Sequence, residues 1–168
     1  MVRKKIVVSD AAPLIQLSLS HSLEILHRLY VVVIPEKVFR ETQYYGDLPD
    51  AIEIAKVVGK WLKIRRVKNR KQVKSLLESK WGKGEAEAAV LCQEINADFL
   101  LTSDKYAASK AEKLGLKTIT IADVVRQAYS SRVITADESV RLLDTLVRQD
   151  ILNTRYLRTL FEEAKTWS

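Results

Sequence analysis

Four acidic residues in this basic chain occupy positions from which their carboxylates could hold a divalent metal ion. Asp10 and Asp104 each follow a short apolar, strand-like segment, and Glu41 and Glu85 each fall in the first turns of a predicted helix. In open α/β sheets, ligands bind in the crevice beyond the carboxyl ends of the strands, where acids from distant parts of a sequence can meet. Without a nearby His or Cys cluster, four carboxylates make a hard-oxygen ligand set that suits Mg²⁺ or Mn²⁺ and not zinc.

Helical periodicity separates Glu85 from its acidic neighbours. At about 100° per residue, Glu85 falls on the same face as the apolar Cys92, whereas Glu87 and Glu94 fall on the opposite side and are expected to be solvated. Since burying an unpaired charge is costly, an inward Glu85 needs a partner. By the same count, Glu41 borders the apolar face of the helix that follows Pro35.

Each acid also has a structural interpretation. Asp10 and Asp104 precede predicted helices, where Asp commonly caps the N-terminus. Glu41 could pair with a Lys or Arg at the rim of the fold. Asp123 is a further acid beside a predicted strand, and a helix cap is the favoured interpretation for it.

The charge balance favours an anionic partner. A formal net charge of +7 points first to nucleic acid and only second to an anionic membrane surface. One segment combines cations, which can neutralise phosphates, with Trp61, which could stack on an unpaired base. Ordinary solvating charges are the alternative, and Arg126 and Arg132 could extend the surface. The cations of this basic segment are Lys60, Lys63, Arg65, Arg66, Lys68, Arg70, Lys71 and Lys74.

Length and composition suit one domain spanning residues 1–168, with a core large enough to fold alone. The single cysteine, Cys92, excludes an internal disulfide and is expected to be a core residue in a reducing compartment. The N-terminal apolar stretch is too short for a signal peptide, and no run approaches the roughly 18 residues of a membrane span. We therefore expect a cytoplasmic protein without a membrane partner.

Strand-like and helix-like segments alternate, which predicts a three-layer α/β/α fold with a mostly parallel central sheet. The core spans about residues 5–130, and a helical extension covers about 131–168. Apolar stripes on the early and late helices suggest internal packing or a partner surface, and make a homodimer plausible. Strands are expected at 5–8, 30–34, 61–67 (at an edge), 98–102 and 117–121. Helices are expected at 12–18, 22–29, from Pro35, 51–58 with Pro49 opening it, 72–79, from Glu85 to about 95, 105–114, 122–129, from the Thr135–Glu138 capping box to about 148, and from an Asn153 or Thr154 cap to about 164.

Four segments in this order resemble one family. Ile6–Ile15, Ile34–Glu41, Gly82–Ala89 and Leu100–Asp104 are similar to the corresponding motifs of PIN domains. The resemblance is closest to the PIN-like group related to VapC-type toxins of bacterial and archaeal toxin–antitoxin systems. It covers about residues 5–130, and the helical tail is also similar to that group.

This resemblance implies a metal-dependent ribonuclease, with RNA as substrate and an antitoxin protein as partner. It carries Asp10, Glu41, Glu85 and Asp104 over as the catalytic acids that bind Mg²⁺ or Mn²⁺. Hydroxyls close to these acids could orient a ligand or a water molecule; they belong to Ser9, Thr102 and Ser103.

The chain departs from the pattern at two positions. Ser103 stands where relatives often have a second acid, and Ala108 stands where a basic residue is common. Two other functions therefore remain open: a PIN-like nucleic-acid-binding module with weak or lost catalysis, and a nuclease that acts on structured DNA.

Overall fold

The computed structural model describes residues 3–150 and 154–168, and within these ranges it contains five strands and ten helices. The strands are β1 (Lys5–Ser9), β2 (Tyr30–Pro35), β3 (Leu62–Arg65), β4 (Phe99–Leu101) and β5 (Thr118–Ile119). The helices are α1 (Ala11–Leu19), α2 (Glu24–Leu29), α3 (Glu36–Thr42), α4 (Pro49–Val57), α5 (Arg70–Glu78), α6 (Lys83–Glu94), α7 (Lys105–Lys113), α8 (Ile121–Ser130), α9 (Ala136–Gln149) and α10 (Arg155–Ala164).

The five strands form one parallel sheet in the order β3-β2-β1-β4-β5. Runs of β-branched residues build its centre, and Val7, Val8 and Val32 are fully buried because helices cover both faces. The predicted three-layer α/β/α architecture with a parallel sheet is therefore confirmed, and so is the edge position of β3. The centrally placed β1 lies between β2 and β4, so its carboxyl end is the point from which chain connections run in both directions.

The predicted helix starts lie within two residues of the observed ones, and two of the differences concern the helices that carry Glu41 and Glu85. Pro35 does not open α3: its backbone is extended, it pairs in register with Arg65, and the helix begins one residue later at Glu36. The helix expected from Glu85 begins earlier, because α6 already starts at Lys83 with Gly82 as its N-cap. Gly84 is thus a helical residue, and it provides room for a neighbouring side chain instead of interrupting the chain.

The C-terminal helices pack onto the same core as the sheet. Thr135 and Glu138 form the predicted capping box at the start of α9, and Thr154 occupies the N-cap of α10 without a side-chain bond; Asn153 lies outside the described residues. The apolar stripes are internal, since Leu143, Leu146 and Leu157 are almost fully buried. These stripes therefore give no support to a homodimer, which stays a prediction.

Two further expectations can be compared with the fold. Cys92 is buried in the core as predicted, and burial raises the pKa of its thiol to about 11. Among the helices within residues 3–150 and 154–168, none is both long and apolar enough to cross a membrane.

Candidate active site

The sheet brings Asp10 and Asp104 to the same edge. They follow β1 and β4, which are neighbours in the sheet, and Ser9 lies opposite Leu101 in the parallel register. The backbone N–H of Asp10 donates to the carbonyl of Leu101 at 2.9 Å, which extends the pairing to the acid itself. Both carboxylates therefore stand where ligands of open α/β sheets bind.

Asp10 occupies an N-cap position, but its side chain does not cap the helix. No hydrogen bond joins its carboxylate to the first turn of α1, and the hydroxyl of Thr102 donates to it instead. Burial raises the pKa of Asp10 to about 6, against the opposing effect of this hydrogen bond, and the nearby carboxylates of Glu85, Glu41 and Asp104 raise it further. The other three predicted acids are thus near enough to Asp10 to interact with it electrostatically.

Asp104 does cap a helix. Its Oδ1 accepts a hydrogen bond from the backbone N–H of Tyr106 at 2.7 Å, in the first turn of α7. The structural interpretation is therefore correct for Asp104 and wrong for Asp10. The cap uses one carboxylate oxygen of Asp104, and the side chain remains exposed at the mouth of the site.

Glu41 reaches the site because α3 packs against the start of α6. A Cβ built on Gly84 would lie 2.6 Å from Oε1 and 2.7 Å from Cδ of Glu41, so only glycine leaves room for this carboxylate. More than a third of the residue is exposed, yet its carboxylate end is desolvated against α6, and this desolvation raises its pKa. The N–H of Gly84 and the charge of Lys37 oppose the shift, while Glu85 and Glu87 add to it.

Glu85 has the partner that its inward position requires. Its Oε2 accepts from the ammonium of Lys110 at 3.0 Å and from the backbone N–H of Gly82 at 3.3 Å. Lys110 also lies over the ring of Trp81, with 4.9 Å between Nζ and the ring centroid. Sequence reasoning missed Lys110, because no local pattern links it to an acid 25 residues away on another helix.

The predicted hydroxyls differ in what they contact. Thr102 holds the carboxylate of Asp10 and also accepts from the backbone N–H of Asp104 at 3.3 Å, so it connects two of the acids. Ser9 donates to the backbone carbonyl of Asp10 at 2.8 Å. Ser103 turns away and donates to Gln16 of α1 at 2.7 Å. Of the three, only Thr102 contacts a carboxylate of the four acids.

The donor set has the right chemistry for Mg²⁺ or Mn²⁺, although the side chains are not arranged around a single point. Among the described residues, no three Asp, Glu, His or Cys side chains are grouped closely enough to hold an ion as they stand. Glu85 is engaged by Lys110, and Asp104 by the first turn of α7. Carboxylate oxygens are the ligands that these hard cations prefer, so the residue types fit the ion better than their present arrangement does.

The basic segment is exposed but does not form one surface at the acidic edge. Lys60 and Trp61 precede β3 and so lie at the opposite end of the strand from Arg65. Trp61 stacks on His27 with 5.3 Å between ring centroids, so one face of its ring is already covered. Arg126 lies on α8 after β5, at the other edge of the sheet, and cannot extend this segment.

Two cations of the segment are paired with acids. Arg66 lies 3.6 Å from Glu36, and Arg70 lies 3.0 Å from Glu87. The remaining exposed cations of the segment are Lys60, Lys63, Arg65, Lys68, Lys71 and Lys74.

The expectation that Glu87 and Glu94 are merely solvated was wrong. Glu87 is only 13% exposed: it accepts from the N–H of Lys37 at 3.3 Å and pairs with Arg70. Glu94 is exposed but accepts from the backbone N–H groups of Lys68 and, at 2.5 Å, Asn69. Both acids serve the packing of α6 against neighbouring segments, which a periodicity count within one helix cannot reveal. Asp123 is a helix cap, as predicted, and accepts from the N–H of Thr120 at 2.8 Å.

A comparison with protein-family models agrees with the fold. A family model described as a PIN domain matches residues 6–165. Among solved structures, the chain is similar to a PilT N-terminus domain protein from the hyperthermophilic archaeon Sulfolobus solfataricus, with 21% sequence identity and a TM-score of 0.48. That match covers 74% of this chain and 93% of the archaeal chain. No curated protein sequence matches the chain.

Proposed function

Because the chain belongs to the PIN-domain family, whose members are generally nucleases, we propose that it is a Mg²⁺- or Mn²⁺-dependent ribonuclease that hydrolyses phosphodiester bonds. One observation carries the proposal. Burial raises the pKa of Asp10 to about 6, and the carboxylates of Glu85, Glu41 and Asp104, which come from three other segments of the chain, add to this shift. Repulsion between neighbouring carboxylates is unfavourable unless a cation or another ligand compensates their negative charge. Clusters of this kind are characteristic of functional sites.

The residues around the acids have separable tasks. A bound divalent ion would supply a Lewis acid and a water of lowered pKa, which carboxylates alone cannot provide. Thr102 donates to Asp10 and orients its carboxylate, and the N–H of Gly84 does the same for Glu41. Lys110 holds Glu85 at 3.0 Å and places a positive charge beside the acids, where it could also contact a substrate phosphate. These contacts orient the carboxylates of Asp10, Glu41 and Glu85.

The biological role that we propose is that of a toxin in a toxin–antitoxin pair, with an antitoxin protein as partner. The support is the resemblance of the four motifs to VapC-type relatives. Induced expression of the wild-type chain should then arrest bacterial growth, whereas expression of Asp10→Asn to the same level should not. Equal growth of both cultures would contradict the toxin role while leaving nuclease activity open.

A second candidate function is a nucleic-acid-binding module with weak or lost catalysis. It is favoured by the engagement of Glu85 with Lys110 and of Asp104 with the N–H of Tyr106, which turns both carboxylates toward protein partners. Ala108 also leaves α7 without a basic residue at the position where relatives often carry one. This module would bind RNA without consuming it.

Cleavage of a mixed RNA pool separates the two candidates. The wild-type chain should degrade RNA in the presence of Mn²⁺, and EDTA should stop this cleavage. Asp10→Asn should abolish the metal-dependent cleavage. Asp137→Asn, an exposed acid on α9, is the matched control and should cleave normally. Equal cleavage by wild type and Asp10→Asn would refute the enzyme, and RNA binding without cleavage would support the module. A parallel reaction with structured DNA tests the remaining alternative.

A further inference from the structure

A groove opens beside Asp104, on the opposite edge of the sheet from the basic segment. It has a volume of about 1010 Å³ and runs between the first turns of α7, α8 and α10. Clefts that bind small molecules usually measure roughly 300–1,000 Å³, so this groove is large enough for an extended ligand. Because Asp104 is both one of the four acids and part of the groove wall, a ligand lying here would continue directly into the acidic site.

An unpartnered aromatic side chain stands in this wall. Tyr106 is 83% exposed, the most exposed large hydrophobic residue among those described. No other ring packs on it in the described part of the chain, in contrast to Trp61, which is stacked on His27. Keeping a large ring in water costs free energy, whereas a nucleic acid base offers a flat surface on which such a ring can stack.

The charges of the groove fit a polyanion. Lys105 and Arg155 line it from α7 and α10, and within residues 3–150 and 154–168 neither forms a salt bridge or a side-chain hydrogen bond. The other charged residues of the wall already have partners. Asp123 caps α8, and Arg126 pairs with Glu163 at 2.7 Å. Asp104 accepts from the N–H of Tyr106, so among the described residues of the wall the charged side chains without a partner are Lys105 and Arg155, both positive.

We propose that this groove binds single-stranded RNA next to the scissile phosphate, with Tyr106 stacked on an unpaired base and Lys105 and Arg155 on backbone phosphates. The assignment rests on the proposed ribonuclease function for the identity of the polyanion. The strand enters the acidic site along Asp104 from the β5 side of the sheet. The helical tail thus has a role beyond packing, because α10 supplies Arg155, while the small side chain of Ala108 keeps the groove open.

Stacking is tested by the affinity for a short fluorescein-labelled single-stranded RNA, measured by anisotropy in EDTA so that no cleavage occurs. Tyr106→Leu keeps an apolar side chain but removes the ring, and it should weaken binding by about 5- to 150-fold, the range for loss of one stacked base. Tyr106→Phe should bind like the wild type. Affinity for a fully paired RNA duplex should not respond to Tyr106→Leu, because its bases are already stacked on each other.

Phosphate contacts are tested by the salt dependence of the same affinity. Lys105→Gln/Arg155→Gln should reduce the slope of log K against log salt by about 1.4, since each phosphate contact on a single strand contributes about 0.7. The matched control is Lys113→Gln/Arg158→Gln, which removes the same charges from exposed positions outside the wall on the same two helices. Its slope should stay close to that of the wild type.

Any one of the following results would overturn the groove assignment. These are wild-type affinity of Tyr106→Leu, an equal slope change in the control pair, and a loss of affinity only in Lys71→Gln/Lys74→Gln, which would place the strand on the basic segment. Lack of RNA binding by the wild-type chain would also reject it. Asp10→Asn should still bind RNA in the groove. If only the ribonuclease proposal fails, the wild-type chain will not cleave RNA, but the groove variants will still change its RNA affinity as stated above.

Discussion

Gly84→Ala is expected to disable the acidic site while leaving the fold intact. The new methyl group would lie 2.6 Å from Oε1 of Glu41, whereas ordinary van der Waals contact begins at 3.4 Å. Oε2 of Glu41 lies closer still, so the carboxylate must retreat by about 1 Å and leave the N–H of Gly84 that now holds it. The substitution should not destabilise α6 itself, because alanine is a better helix former than glycine by up to about 1 kcal/mol.

The expected magnitude follows from this displacement. Misplacing a reacting or ligating group by about 1 Å can reduce catalysis on the order of 100-fold. We expect Gly84→Ala to lower kcat/KM for RNA by about this factor and to weaken Mn²⁺ binding measured by calorimetry. The melting temperature in EDTA should stay near that of the wild type, because the gain in helix propensity offsets the strain.

Gly82→Ala is the matched control, two residues earlier in the same segment. A Cβ on Gly82 would meet its nearest atom, Cδ of Glu85, at 3.6 Å, which is an ordinary contact. Alanine is a poorer N-cap than glycine, so this variant should lose on the order of 0.5–1 kcal/mol of stability while keeping its activity. Gly84→Ala should therefore lose activity but not stability, and Gly82→Ala should lose stability but not activity.

A double-mutant cycle identifies the carboxylate through which Gly84→Ala acts. In a Glu41→Ala background there is no carboxylate to displace, so adding Gly84→Ala should change Mn²⁺ affinity very little. If the effects of the two substitutions simply add, or if Gly84→Ala alone binds Mn²⁺ like the wild type, the inferred contact between Gly84 and Glu41 does not control the site.

Three further perturbations test the electrostatics of the site. Because the pKa of Asp10 rises from its usual 3.8 to about 6 on folding, the folded chain holds more protons than the unfolded chain between these values. The free energy of unfolding in EDTA should therefore fall by about 3 kcal/mol as pH rises through this window, and urea titrations of Asp10→Asn should lack this loss; an equal loss in the variant would refute the assignment. Glu87→Gln should lower the free energy of unfolding by roughly 1–2 kcal/mol, since it weakens bonds to Arg70 and to the start of α3, but should spare Mn²⁺ binding; a large loss of affinity would instead make Glu87 a ligand. Lys110→Met should tighten Mn²⁺ binding by up to about fivefold in calorimetry, because an ammonium that competes for Glu85 with a strength on the order of 1 kcal/mol is removed; weaker binding would mean that Lys110 supports the ion.

Local sequence patterns predicted those strands and helices well whose formation depends on residues within the element itself. The β-branched run Lys5–Val8 and the capping box at Thr135 specify a buried strand and a helix start through their own residues, and both were found in place. Pro35 and Gly84 were misjudged for one common reason. Their types restrict or permit backbone angles, but pairing with Arg65 and packing against Glu41 decided which option each adopted.

The sequence by itself determined the layered parallel fold and the candidate set of four acids. The periodicity of apolar residues and the junctions between strands and helices depend only on residues that are neighbours in the sequence. Only the tertiary structure decided what each acid does. It shows that Thr102 holds Asp10, that Asp104 caps α7, that Gly84 admits Glu41, and that Lys110 neutralises Glu85. These relations join residues on different elements, and the electrostatic interactions that perturb a carboxylate depend on distance through space and not on separation along the chain.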